Sequence, residues 1–171
     1  MNATLVMEAI AKIAPELSQQ QIIEAINSFP GTSRRFEKIA ENLISDYGHH
    51  PTEIAATLKM AREVSDSVVL VYQPHQNVRQ HQVCDLYTDC MELADEIYWL
   101  PTYLTREDPN LEVLTPADLT KNLTNKSTVK IADLTDQLVE EINSARAAGK
   151  LVVCMGAGSI DDWVRKNFIR P

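Results

Sequence analysis

Apolar and polar positions change period along this chain. From residue 3 to 14, Leu5, Val6, Ala9, Ile10 and Ile13 recur at helical spacing, and a second helix is expected over 18–28, where Ile22, Ile23 and Ile26 form an apolar face. Ser18 with Gln21 three positions on has the form of a capping box. Phe29-Pro30-Gly31-Thr32-Ser33 is a cluster of helix breakers and marks a segment boundary. Two short strands are then expected, about 36–39 and 42–46, joined through Ala40-Glu41 as a hairpin. Beyond them strands and helices alternate. A helix from Pro51 to Val64 carries the stripe Ile54, Leu58 and Ala61, and a strand follows at 67–72. A helix over 79–93 would turn Val83, Leu86, Tyr87, Cys90 and Leu93 inward. Next come a strand at 95–100, an irregular stretch at 101–113, a short helix at 116–124 and a short strand at 128–131. The helix 134–148 stops at Gly149, and strand 151–155 and a helix near 159–168 close the chain. This alternation predicts an α/β fold, a mainly parallel sheet flanked by helices with a leading antiparallel hairpin.

Composition narrows the function. The 171 residues suit one domain with an extra segment, and 44% hydrophobic content supports an ordinary core. A formal charge of −8 with a pI near 5.0 argues against nucleic acid and anionic membrane as general partners. No apolar run approaches the roughly 20 residues that span a bilayer. The first 14 residues lack a basic leader followed by an apolar block, so a cytoplasmic protein is expected. Cys84, Cys90 and Cys154 form no Cys-x-x-Cys pair, and Cys154 sits in an apolar strand as a buried thiol.

Chemistry gathers where strands end. Asp46, Tyr47, His49 and His50 follow the strand at 42–46, and His75 and Arg79 follow the strand at 67–72. Polar groups at carboxyl ends of parallel strands are how open α/β sheets build ligand sites. His49 reads as a ligand contact. His50 reads as a group packed under the helix, with Asp46 capping the turn, because adjacent residues in an extended segment point to opposite faces and two such imidazoles do not share a metal. Arg79 can grip a carboxylate bidentately with His75 adding a hydrogen bond; the competing reading is a surface Arg paired with an acidic neighbour. Gly156-Ala157-Gly158 lies between strand and helix, but position 161 is Asp, so the dinucleotide fingerprint is incomplete and a tight turn is the commoner meaning. Arg34-Arg35 at the segment boundary either meets a nucleotide or stays solvated. No Walker-type phosphate loop is present, since Gly149-Lys150 is followed by Leu151.

Taken in order, these segments resemble the carboxy-terminal domain of the Mur ligases, most nearly the members that join L-alanine to UDP-N-acetylmuramate. The matching residues are Phe29-Pro30-Gly31 with Arg34-Arg35-Phe36-Glu37, Asp46-Tyr47-Gly48-His49-His50-Pro51-Thr52-Glu53-Ile54, Gln73-Pro74-His75 with Arg79, and Met155-Gly156-Ala157-Gly158. The resemblance implies a Rossmann-like domain over 29–171, preceded at 1–28 by a helical remnant of the family's central ATPase domain. It implies ATP-dependent amide-bond formation through an acyl phosphate in peptidoglycan synthesis, with Mg²⁺ held mainly by the absent central domain. It assigns Arg35 and Asp46 to the nucleotide and Tyr47, His49, His75 and Arg79 to L-alanine, with neither a catalytic residue nor a metal ligand in this chain. The implied partners are L-alanine, ATP, UDP-N-acetylmuramate and the missing amino-terminal and central domains, without which the chain would be inactive. Three positions depart from the family's pattern: Gln76 stands where Arg is common after Gln-Pro-His, Ser159 where Asp often follows Met-Gly-Ala-Gly, and Ser45 in place of the first of two Asp residues. A non-catalytic small-molecule or partner-binding module reusing the domain is the alternative reading. A stand-alone metal-dependent hydrolase using His49, His50 and Asp46 is the weakest.

Overall fold

A computed structural model describes residues 2–169. They fall into two compact units divided between Thr32 and Ser33, inside the breaker cluster. The first unit is a helix pair, α1 (Asn2–Ile13) and α2 (Gln19–Asn27). Ser18 caps α2 through the expected box with Gln21. Ile22 is buried, but the apolar stripe of α1 is not: Leu5 is 65% and Ile13 80% exposed.

The second unit holds one six-stranded sheet in the order β1-β2-β6-β3-β4-β5. Its strands are β1 (Glu37–Ala40), β2 (Leu43–Asp46), β3 (Val68–Tyr72), β4 (Glu96–Trp99), β5 (Val129–Ile131) and β6 (Leu151–Met155). Only β1 runs antiparallel, as the expected hairpin partner of β2. The turn falls at Glu41-Asn42, one residue later than expected, because Asn42 accepts the left-handed conformation the tight connection demands (φ 55°). Alternation along the fully buried β3 divides the core. Val68, Leu70 and Tyr72 face a cluster built on Ile54, Leu58 and Ala61 of α3 (Pro51–Val64), whereas Val69 and Val71 face α6 (Asp136–Ala147) and α7 (Ile160–Phe168). The first face is filled out by α4 (Asn77–Val83), the turns after it and α5 (Pro116–Thr120). Tyr72, Tyr87 and Trp99 meet there edge to face, each fully buried; aromatic pairs of this kind add about 0.5–1.5 kcal/mol beyond area burial.

The helix expected over 79–93 is shorter. α4 ends at Val83 and tightens into a 3₁₀ turn, Cys84–Leu86. Three residues per turn instead of 3.6 rotate the chain, so Tyr87 and Met91 point inward while Leu86 is 56% exposed. Cys154 is buried in β6, and desolvation pushes its thiol up to about 12. No described helix is long and apolar enough to cross a membrane.

Register sets the stage for a site. Asp46 of β2 and Tyr72 of β3 both lie level with Met155 of β6, and Tyr72 lies level with Trp99. β6 sits between β2 and β3 and feeds α7 on one face, while β2 and β3 feed α3 and α4 on the other. Strand-end loops therefore part on either side of β6, which opens a crevice at the carboxyl edge.

An ion network ties the start of this unit to α7. Arg165 reaches Glu37 at 2.5 Å and Asp161 at 2.9 Å, and Asp161 also accepts from the Ser45 hydroxyl at 2.6 Å. The Arg165 guanidinium, then the Arg34 amide, pull the Glu37 carboxyl down to about 2. A carboxyl lowered on folding adds stability above its unfolded pKa and loses it as pH falls through the folded one. Urea titrations at pH 7, 4 and 2.5 should thus show a loss on acidification that Glu37→Gln reduces, the remainder belonging to other lowered carboxyls such as Asp95 and Glu96. The variant should already be weaker at pH 7, by about 1 kcal/mol given solvent screening.

Candidate functional site

The loop after β2 is built around Asp46. Its Oδ2 accepts from the Phe36 amide at 2.7 Å, and its Oδ1 accepts from the Gly48 amide at 2.8 Å and the Thr57 hydroxyl at 3.3 Å. Asp46 is only 7% exposed, so both oxygens serve the chain's own backbone and α3. This holds a turn in which Arg34 and Phe36 take positive φ of 59° and 49°. Arg34 and Arg35 then lie over the Tyr47 ring, 4.6 and 5.1 Å from its centroid. Arg34 continues inward to the Gly156 carbonyl at 3.1 Å, whereas Arg35 is exposed.

His49 and His50 separate as their adjacency requires. His50 is the N-cap of α3, its Nδ1 accepting from the Thr52 amide at 3.3 Å with Pro51 in the first turn. Glu53 completes the box by accepting from the His49 and His50 amides at 3.0 and 3.2 Å. Burial raises the Glu53 carboxyl, but these amides and the nearby cations outweigh it, leaving it below its ordinary value. The His49 Nδ1–H donates to the Tyr47 carbonyl at 3.1 Å, and Nε2 accepts from Arg79. That pair of partners selects the Nδ1–H tautomer.

Arg79 projects from α4 across to His49, so side chains 30 positions apart meet between two strand-end loops. His75 completes the group: its ring is 5.7 Å from that of His49 and stacks on Tyr103 at 5.7 Å and 11°. Burial, then the neighbouring His49 and Arg79, push the His75 imidazole below its ordinary value, and its buried Nδ1 has no protein partner. A neutral imidazole with a free nitrogen beside a guanidinium suits a small zwitterion, the cation taking a carboxylate and the ring meeting an ammonium. Only one of Arg79's N–H donors is spent on His49.

Tyr103 carried no signal in the sequence, because it lies in the irregular segment after β4. That segment is nevertheless pinned. Tyr103 exchanges backbone hydrogen bonds with Pro74 and Gln76, the side-chain Nε2 of Gln76 (φ 60°) donates to the Thr105 carbonyl, and Glu107 accepts from the Asn77 and Val78 amides at the start of α4. Gln76 therefore holds this strap. Gly156-Ala157-Gly158 serves packing. A Cβ on Gly158 would lie 2.6 Å from Tyr103 and from Gln73 Oε1, and one on Gly156 would lie 2.7 Å from the Gln73 carbonyl. The first amide of α7, Ile160 N–H, donates to Gln73 Oε1 at 3.0 Å. Among the described residues no three His, Cys, Asp or Glu side chains gather as a metal site. Magnesium takes oxygen ligands, and the Asp46 oxygens are already engaged by the chain's own donors, so this cluster does not fit a magnesium centre.

The family model described as Mur ligase, glutamate ligase domain, matches residues 34–158. A UDP-N-acetylmuramate–L-alanine ligase of Jannaschia sp. is 37% identical over 95% of the chain and 36% of its own length. The ligase of the same name from Gluconobacter oxydans is 34% identical over 94% of the chain and 36% of its own length. The chain thus spans about a third of the length of these relatives. Among solved structures, the UDP-N-acetylmuramate-alanine ligase of Thermotoga maritima shares the fold with a TM-score of 0.66 at 22% identity, over 96% of this chain and 35% of that one.

Replacing Gly158 by Ala should force the pinned Tyr103 strap outward. The denaturation midpoint should fall by an amount worth roughly 1–3 kcal/mol, and the His75 ring resonances should move as its stacking partner shifts.

Proposed function

The chain belongs to the Mur ligase family and carries its glutamate ligase domain, and from that premise we propose that it forms the amino-acid pocket of a UDP-N-acetylmuramate–L-alanine ligase. The supporting observation is the convergence of His49, His75 and Arg79 at the level carboxyl ends of β2 and β3. Arg79 takes the L-alanine carboxylate with the N–H groups His49 leaves free. His75 receives the ammonium side, where its neutral ring can accept a hydrogen bond as the amine becomes a nucleophile. Tyr47 and the His49 ring, 5.5 Å apart and perpendicular, close the remaining wall. A small, polar-lined pocket of this kind rejects larger side chains by size and misplaced ones by leaving its buried polar atoms unpaired.

In the complete reaction ATP phosphorylates the UDP-N-acetylmuramate carboxylate, the L-alanine amine attacks the acyl phosphate, and phosphate leaves with ADP already formed. Arg35, exposed on the Tyr47 ring, is the cation offered to the nucleotide. Asp46 serves that contact by holding the Arg34–Phe36 turn, since its own oxygens are engaged. Magnesium, the phosphate loop and the sugar-nucleotide site belong to the amino-terminal and central domains, which residues 1–28 would join as the end of the central one, and the enzyme works in the cytoplasm.

ADP release from UDP-N-acetylmuramate, L-alanine and Mg·ATP tests this. The chain alone should be silent, and mixing it with a chain carrying the other two domains should restore turnover. Activity of the chain alone, or silence of a mixture shown to associate, would overturn the assignment. In the reconstituted pair, Arg79→Ala should raise the L-alanine KM at least tenfold, about 1.4 kcal/mol of binding, with little change for ATP. Asp46→Ala should act on the ATP KM instead.

A further inference from the structure

Beneath the pocket runs a buried polar chain to which no role has been assigned. Tyr72 Oη lies 3.2 Å from the His49 carbonyl and 3.0 Å from Tyr87 Oη; Tyr87 donates to Gln80 Oε1 at 2.6 Å; Gln80 Nε2 donates to the His75 carbonyl at 3.0 Å. Tyr72, Tyr87 and Gln80 are all 0% exposed. The chain begins on the backbone of His49 and ends on the backbone of His75, the two loops that carry the pocket's imidazoles. We propose that Tyr72, Tyr87 and Gln80 are positioning residues that set the distance between the His49 and His75 loops, and hence the fit of the amino acid between them. The link to the amino acid rests on the function proposed above; the link between the loops does not.

Proton counting gives the chain a direction. Gln80 must present Oε1 to Tyr87, because its Nε2 is spent on His75. Tyr87's single proton goes to Gln80, so the one proton of Tyr72 is donated either to the His49 carbonyl or to Tyr87 Oη, and not fully to both. Of the three, only Tyr72 touches the His49 arm, whereas Gln80, held by Tyr87, touches the His75 arm. A purely space-filling aromatic cluster would show no such division. Trp99, packed against both tyrosine rings without joining the chain, represents that space-filling role.

The test is imidazole ¹H–¹⁵N correlation spectroscopy of the full chain, with His50 and His81 as internal references. Tyr72→Phe should displace the His49 signals and leave His75 nearly in place. Tyr87→Phe should displace His75 more than His49, and Gln80→Met, which leaves both aromatic rings intact, should reproduce that pattern should the tyrosine variant fold poorly. Equal displacement of all four histidines, or no displacement of His49 and His75, would overturn the proposal. In the reconstituted enzyme each variant should raise the L-alanine KM roughly tenfold, the worth of one buried hydrogen bond, with the ATP KM held. Displaced histidine signals with an unchanged L-alanine KM would leave the positioning chain standing and remove the amino acid from this pocket.

Discussion

In-register pairing of β6 with both β2 and β3 is the constraint on which the site depends. Asp46, Met155 and Tyr72 end level only because each pair of strands matches residue for residue. A slip of one residue along β3 would exchange Val69 and Val71 with Leu70 and Tyr72 between two differently filled faces. The register is therefore fixed by burial on both sides of the sheet. Once fixed, it delivers the Asp46–His50 and Gln73–Arg79 loops to one edge at one height, where a side chain as long as Arg79 bridges them.

Charge is then distributed with some economy. The chain is acidic overall, at −8, yet the carboxylates near the site face inward onto the backbone. Asp46 holds Phe36 and Gly48, Glu53 holds His49 and His50, and Glu107 holds Thr105, Asn77 and Val78. Each organises a loop, and the donors that Glu53 and Glu107 accept hold those two carboxyls below their ordinary value. Arg35 and most of Arg79's donors remain available. A locally cationic edge on an acidic protein would suit the carboxylate and nucleotide proposed above.

Much of this was legible in the residue pattern, and the rest was hidden for definite reasons. Pro51 to Val64 and Leu151 to Met155 were readable to the residue, since a proline start and a continuous apolar run leave little latitude. That His49 and His50 take separate partners followed from their adjacency, but the cap of α3 is His50 and not Asp46, whose oxygens turn to Phe36, Gly48 and Thr57. The break after Val83 was not visible, because helical and 3₁₀ spacing diverge by less than one residue per turn over so short a stretch. The His49–Arg79 contact needed the sheet order, which local pattern does not contain. Tyr103 lies where no periodicity exists. Gln80 did leave a signal: a polar side chain one helical turn before the inward-facing Val83 needs a buried partner, and Tyr87 and the His75 carbonyl supply it.

The glycine-rich turn shows why this strand end does not cradle an anion in the usual way. A strand–Gly–helix passage is a common phosphate cradle because helix N-terminal amides are unpaired there. Here Gln73 occupies that position from within. Its Oε1 accepts from Ile160 N–H, its Nε2 donates to the Ser159 hydroxyl at 3.2 Å, and its backbone crowds Gly156. Gly158 yields its Cβ space to Tyr103. The turn is thus consumed in locking β6 and α7 to the strap that lines His75, and the start of α7 has no first amide left for an anion. Geometry that elsewhere cradles a phosphate is spent here on stiffening the strap beside His75, and Arg35, exposed on the Tyr47 ring, is a cation left facing outward at this edge.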